Sequence, residues 1–380
     1  MAILANPRLV GELEHYGAGD VVKCYHCGNC SAACPFSKEP FIFPRKSMRY
    51  LQMGLEDKLR GNLEPWLCYY CGECSEQCPR EAEPGEVMMS MRRWLTAQYD
   101  FTGISKLFYK SWKAELSAIV AVALLTGLGF WWWGATHGDI RHYDGPQAFL
   151  ASSFVHAFDW IMGGVLLALL LTNCARMWWF SMGRSRINVP LTEYVRRAWL
   201  LPVHFLTQKR YRECEKKRPW AVHLALMLSY VTMLVLIMFF LHAFQEGPEI
   251  SWPHHSLGYL ATIGLIGASV YALRGRIRRS ETHYKHSHET DWIFLILLLY
   301  VAVTGIVQHA LHRFGAGHAA NILYLAHMMG VVPMLVLEVP FSKWAHLAYR
   351  PLAMYFSELQ GAAILAREKS AAPAVRARAA

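Results

Sequence analysis

The sequence predicts a mainly α-helical chain in two parts, a helical cysteine-rich domain followed by six helices long enough to span a membrane. Eight of its ten cysteines fall into two runs of the form CxxCxxCxxxCP within the first 80 residues. From about Ala114 onward come six uncharged apolar runs of about 18 to 24 residues, the length a helix needs to cross some 30 Å of hydrocarbon. Basic residues crowd into alternate connections between those runs, which sets an orientation.

Composition narrows the class. Only 17% of the 380 residues are charged, against about a quarter in soluble globular chains. The net charge of +10 could suit nucleic acid, but the cations lie in loops between apolar segments. There they report topology, and no nucleic-acid partner is expected.

The first part, 1–105, carries the cysteines. Cys24, Cys27, Cys30 and Cys34 precede Pro35, and Cys68, Cys71, Cys74 and Cys78 precede Pro79. Zinc could be held by paired CxxC halves, and ten cysteines in a secreted chain would read as disulfides. Neither explains a third cysteine at the same step plus Cys-Pro, twice over. The spacing is that of two cubane 4Fe-4S clusters, in which the fourth cysteine of each run ligates the other cluster. Cys24, Cys27, Cys30 and Cys78 are therefore expected on the first cluster, and Cys68, Cys71, Cys74 and Cys34 on the second. Residues 44–66 read as helix plus turn, giving a helical two-cluster ferredoxin-type domain. Cys174 and Cys214 lie outside the runs and read as structural thiols.

The second part, 106–350, holds the apolar runs at about 114–135, 154–175, 220–243, 256–273, 291–311 and 320–341. Any one of them could be a buried helix of a soluble core, but six together predict a lipid bilayer. The second connection carries Arg176, Arg184, Arg196, Arg197 and Arg210, the fourth carries Arg274, Arg276 and Arg278, and Lys343 and Arg350 follow the sixth run. The other connections hold few cations: Arg141 in 136–153, Arg313 in 312–319, and none in 244–255. Both termini are therefore expected on the cytoplasmic side of the inner membrane of a prokaryote. The first twenty residues lack the basic and apolar regions of a signal peptide, in keeping with that side. Segment 185–212 alternates apolar and basic residues and is expected to lie along the membrane surface. Residues 351–380 are expected to form a flexible tail.

Eighteen histidines are present, several inside or at the rim of apolar runs. Imidazole in a bilayer tends to mark function, and a bis-imidazole pair on facing helices holds a b-type haem. His223 opens the third run and His346 ends the sixth on the same side. His156, His242, His309 and His327 lie toward the opposite side. His327 and His346 are separated by 19 residues, about 28 Å along a helix, so they would serve two haems rather than one. The outer partner of His327 is His156, with His242 and His309 as alternates. Glu338, an acid inside the last apolar run, is a candidate proton handler.

The order of parts resembles the C subunit of the quinone-interacting membrane-bound oxidoreductase (Qmo) family. Its N-terminal third looks like the small iron–sulfur subunit of heterodisulfide reductase. The rest is similar to that enzyme's haem b subunit and to the gamma subunit of respiratory nitrate reductase. The likeness is carried by His327, the turn Pro340-Phe341-Ser342-Lys343, His346, and His223 in WAVHLALMLSY. It departs at Met233, where that family has a second ligand on the facing helix. The resemblance implies electron exchange between menaquinone or ubiquinone and cytoplasmic sulfur metabolism, through the flavin-containing A and B subunits, with adenylylsulfate reductase as soluble partner. Two other readings stay open: a membrane subunit of a heterodisulfide-reductase or DsrMK-like complex, and a non-redox membrane anchor.

Overall fold

The computed structural model describes residues 4–137, 152–184, 187–241, 243 and 250–379. His242 and Arg141 lie outside them. The described residues are mainly helical, and an isolated Lys38–Phe41 bridge is their one strand-like pairing. Helices α1 (Arg45–Gln52) and α2 (Pro84–Tyr99) frame the cysteine-rich part. The apolar runs form α3 (Trp112–His137), α4 (Ser152–Trp178), α5 (Lys217–Leu241), α6 (Trp252–Arg278), α7 (Glu289–Arg313) and α8 (Gly317–Pro333). A π-helical turn, Met334–Glu338, and a short helix, Val339–Phe341, prolong α8. With those extensions, six helices are long and apolar enough to cross a membrane.

Their outer surfaces are apolar. Leu125, Leu128, Ile161, Leu171, Ile263 and Val307 are exposed on them. In water such surface would be costly; against lipid tails it is not. The inner faces hold the polar exceptions.

Where the chain leaves the sixth span, Ser342 has φ −127° and ψ −145° and interrupts the helix. The sequence leads one to expect His346 at the end of that span. Instead, His346 is the first residue of α9 (His346–Ala379). This last helix also corrects the expected tail. Tyr349, Ala353, Met354, Phe356 and Leu359 are buried in one core with Trp66, Met88, Trp94 and Tyr99 of the cysteine-rich part, and with Met177 and Met182 at the end of α4. Those of α9 form a one-sided apolar stripe at helical spacing that reaches into the first part of the expected tail.

That core crosses the boundary expected near residue 105. Helix α2 is buried along nearly its whole length, between the cysteine loops on one side and the bundle on the other. Two arginines on it are fixed by polar partners. Arg92 donates from Nε to the Pro65 carbonyl at 2.6 Å and from a terminal nitrogen to the Cys68 carbonyl. Arg93 donates to the Tyr16 carbonyl at 2.8 Å and pairs with Glu86 at 2.8 Å and Asp291 at 3.4 Å. Asp291, on α7, also takes Lys343 at 2.5 Å and Arg276 at 3.8 Å. One buried carboxylate thus joins the cysteine-rich part to three elements of the bundle.

Segment 185–212 forms helices Leu191–Arg197 and Leu200–Thr207. Tyr355 of α9 donates to the Tyr194 carbonyl at 2.6 Å, while Leu191, Val195 and Trp199 face outward.

Candidate functional site

The two cysteine runs fold alike. His26 and Gly28 in one, Tyr70 and Gly72 in the other, take positive φ, and a one-turn helix follows each. These left-handed residues curl the chain so that successive cysteines face a common centre. At Gly72 a side chain would also strike Thr282 of the bundle, at 2.6 Å from an added Cβ. Glycine is needed there for conformation and for space.

The fold groups the cysteines across the runs. Cys78 lies close enough to Cys24 and Cys30 to act on their charge. Cys34 stands in the same relation to Cys68 and Cys71, and one cavity is lined by Cys34, Cys68, Cys71 and Cys74. Cys74 is also within range of Cys30, so the two groups adjoin. Burial pushes the Cys30 thiol up to about 11 and the Cys34 thiol up to about 12. Thiols so placed stay protonated until a metal takes them as thiolates. Among the described residues no three His, Cys, Asp or Glu side chains converge on one ion-sized point.

The groups differ in depth. Cys27 of the first is exposed, while Cys68 and Cys74 of the second are 7% and 6% exposed. The Cys68 carbonyl accepts from Arg350 of α9 at 2.8 Å as well as from Arg92. The Arg350 guanidinium covers the Tyr69 ring at 3.9 Å. The second group therefore abuts the bundle and the first faces solvent.

On the bundle side of Tyr69 and Arg350 lies a cavity of about 230 Å³ that both residues line, with His223 and His346 in its wall. The two imidazole rings stand 6.1 Å apart between centroids. A metal–imidazole bond is about 2.0 Å, so two rings on opposite sides of one metal stand roughly 6 Å apart. His223 Nδ1 meets Gln208 Oε1 at 2.9 Å, and His346 Nδ1 meets the Lys343 carbonyl. Engaging one nitrogen fixes each ring and leaves Nε2 for a ligand. Burial and the adjacent His223 hold His346 well below the ordinary histidine range, as a neutral ligand requires. Arg92, Arg93, Arg276, Lys343 and Arg350 line the same cavity and could meet an anionic group.

A second cavity, of about 210 Å³, lies at the far end of the bundle. His327, His309, His312, Asp159 and Met233 line it. His327 Nδ1 is held by Thr304 Oγ1 at 2.9 Å, and His309 Nε2 by Tyr259 Oη at 2.9 Å. His156 is not in the described lining; it sits on α4 beside Asp159. The candidate His242 lies outside the described residues. Glu338 is wholly buried against Glu115, whose Oε1 accepts from Ser342 at 2.7 Å, and lines neither cavity.

Several functional side chains escape a reading of the sequence. Tyr69, Arg92, Arg350, Gln208 and Thr304 carry no spacing signal, since each acts through a contact formed only in the fold. Cys214 is a further case, because it lines a small cavity with Cys71.

Residues 20–82 match the 4Fe-4S dicluster domain family. A protein of Archaeoglobus profundus that resembles the C component of heterodisulfide reductase is 36% identical over 93 residues, 24% of this chain and 50% of that protein. The chain thus spans about half the length of the curated relative it matches. No solved structure matches. The chain carries an iron–sulfur domain. It is joined to six helices long and apolar enough to cross a membrane.

Proposed function

We propose that this protein is the membrane subunit of a quinone oxidoreductase complex, moving electrons between menaquinone or ubiquinone, haem b and two 4Fe-4S clusters. The observation that carries the reading is the shared wall formed by Tyr69 and Tyr70, across which Arg350 bonds to the Cys68 carbonyl. It separates the cavity of the four cysteines from the cavity of the two facing imidazoles. Such adjacency suits one-electron transfer, which haem and clusters supply when bound.

The residues have separate tasks. His223 and His346 hold the inner haem, with Gln208 and the Lys343 carbonyl setting their rings. Arg92 and Arg350 balance negative charge at its edge. His327, with His309, holds the outer haem. Cys68, Cys71, Cys74 and Cys34 hold the cluster nearest the bundle, and Cys24, Cys27, Cys30 and Cys78 the one nearest solvent. The exposed side at Cys27 is where the flavin-containing A and B subunits dock, leading to adenylylsulfate reductase. Both termini lie on the cytoplasmic side of a prokaryotic inner membrane.

A second reading, a membrane subunit of a heterodisulfide-reductase type complex, is favoured by the likeness to a protein named for that reductase. A dithionite-reduced optical spectrum of the purified chain tests the core of the proposal, with b-type alpha bands as the expected result. Their absence would leave a haem-free anchor. Reduction of the clusters by menaquinol then separates the quinone reading from the second one.

A further inference from the structure

Cys214 belongs to neither cysteine run, yet it is only 1% exposed and stands beside Cys71. Both thiols line one small cavity with Glu73, Tyr211 and Lys216. The segment bearing Cys214 is fixed on each side. Tyr211 stacks on Tyr69 with ring centroids 4.8 Å apart, and the Glu215 amide donates to Glu73 Oε1 at 3.5 Å. Lys217 Nζ donates to the Cys214 carbonyl at 2.7 Å.

We propose that Cys214 is a positioning residue for the second cluster, donating its S–H to the Cys71 sulfur and raising that cluster's reduction potential. The inference rests on reading Cys71 as a cluster ligand. An added electron makes a cluster and its thiolates more negative, so a hydrogen bond to a ligand sulfur favours the reduced form. Cys71 already stands in the regular spacing that supplies the ligand, which leaves Cys214 the donor's part. The placement has a consequence for coupling. Cys214 is in the segment that enters α5, nine residues before His223. Tyr211 in the same segment also contacts the His223 ring, at 6.0 Å between centroids. A single stretch from the bundle therefore touches a cluster ligand and an imidazole of the adjoining cavity.

The test is a potentiometric titration, followed by electron paramagnetic resonance, of the full-length chain in detergent under anaerobic conditions. Wild type, C214A and C214S are compared. In C214A the midpoint of the second cluster is expected to fall while the first is unchanged. C214S, whose hydroxyl can still donate, should lie between C214A and wild type. Unchanged midpoints in C214A would overturn the proposal. So would selective loss of the second cluster, since Cys214 would then be a ligand, or a shift in C214S as large as in C214A. Should C214A lose both clusters, C214S decides alone: a lowered second midpoint supports the donor and an unaltered one refutes it. Absence of 4Fe-4S signals from wild type would instead refute the cluster reading beneath it.

Discussion

The two cavities of the bundle are close in volume and differ in almost everything else. The one beside the cysteines has two imidazoles facing each other at 6.1 Å and five cations in its wall, three of them paired with Asp291 there. The far one has a single well-held imidazole on its last span, His327, and its acidic residue is Asp159. A site at the junction with the cysteine-rich part is fixed on several sides by that part. A site facing mainly lipid-covered helices has fewer elements to fix it. The comparison teaches that the inner site is built by the junction of the two parts, and the outer one by the bundle alone.

Removing a ligand at each site should break the comparison most sharply. H346A is expected to abolish quinol-driven reduction of the clusters and about half of the bound haem, while dithionite still reduces the clusters. H327A should remove the other half of the haem and leave the signal of the inner haem intact. Haem content by pyridine haemochrome, with the optical bands and cluster resonance, checks both. Unchanged haem in H346A would refute the inner assignment.

The buried acids come next. D291N leaves Arg93, Arg276 and Lys343 around a neutral amide in a buried setting. Breaking a buried ion pair costs about 3–5 kcal/mol, and a drop in thermal unfolding temperature should show it. D159N, next to His156 at the far cavity, should change stability by no more than about 1 kcal/mol. Equal losses would mean that the far end is as tightly determined as the near one.

Smaller effects are expected from the groups that orient the rings. Gln208→Leu and Thr304→Val each free one imidazole nitrogen from its partner. Losing such a partner weakens metal affinity by about 10- to 100-fold. Haem retention through repeated washing measures it. The Gln208 variant should lose inner haem only, and the Thr304 variant outer haem only.

What the sequence disclosed follows from where the information is local. The cysteine spacing and the apolar runs are local patterns, so the iron–sulfur domain and the six long apolar helices could be read directly. His223, His346 and His327 were legible because imidazole is rare in apolar runs and stands out there. The rest depends on contacts far apart in the chain. The partnership of Arg350 with Cys68, 282 residues away, has no sequence signature. The last helix was hidden because the alanine-rich stretch from Ala362 onward drew the residues before it into the tail. Its buried stripe from Tyr349 to Leu359 shows only when the residues are placed on a helical wheel against the core.

The smallest expected effect concerns the outer site, where the sequence offered His156 as the partner of His327. Its helix packs loosely, with Trp160 and Ile161 facing outward, and the described cavity wall contains Val155 and Asp159 without His156. His309 stands in that wall with one nitrogen held by Tyr259. H156A should therefore leave the haem content at the wild-type level, whereas H309A should reduce it as H327A does. If H156A lost half the haem and H309A none, α4 would have to turn its His156 face into the cavity. The far site would then be completed only when its ligand is bound, unlike the inner one, whose two rings already stand in register.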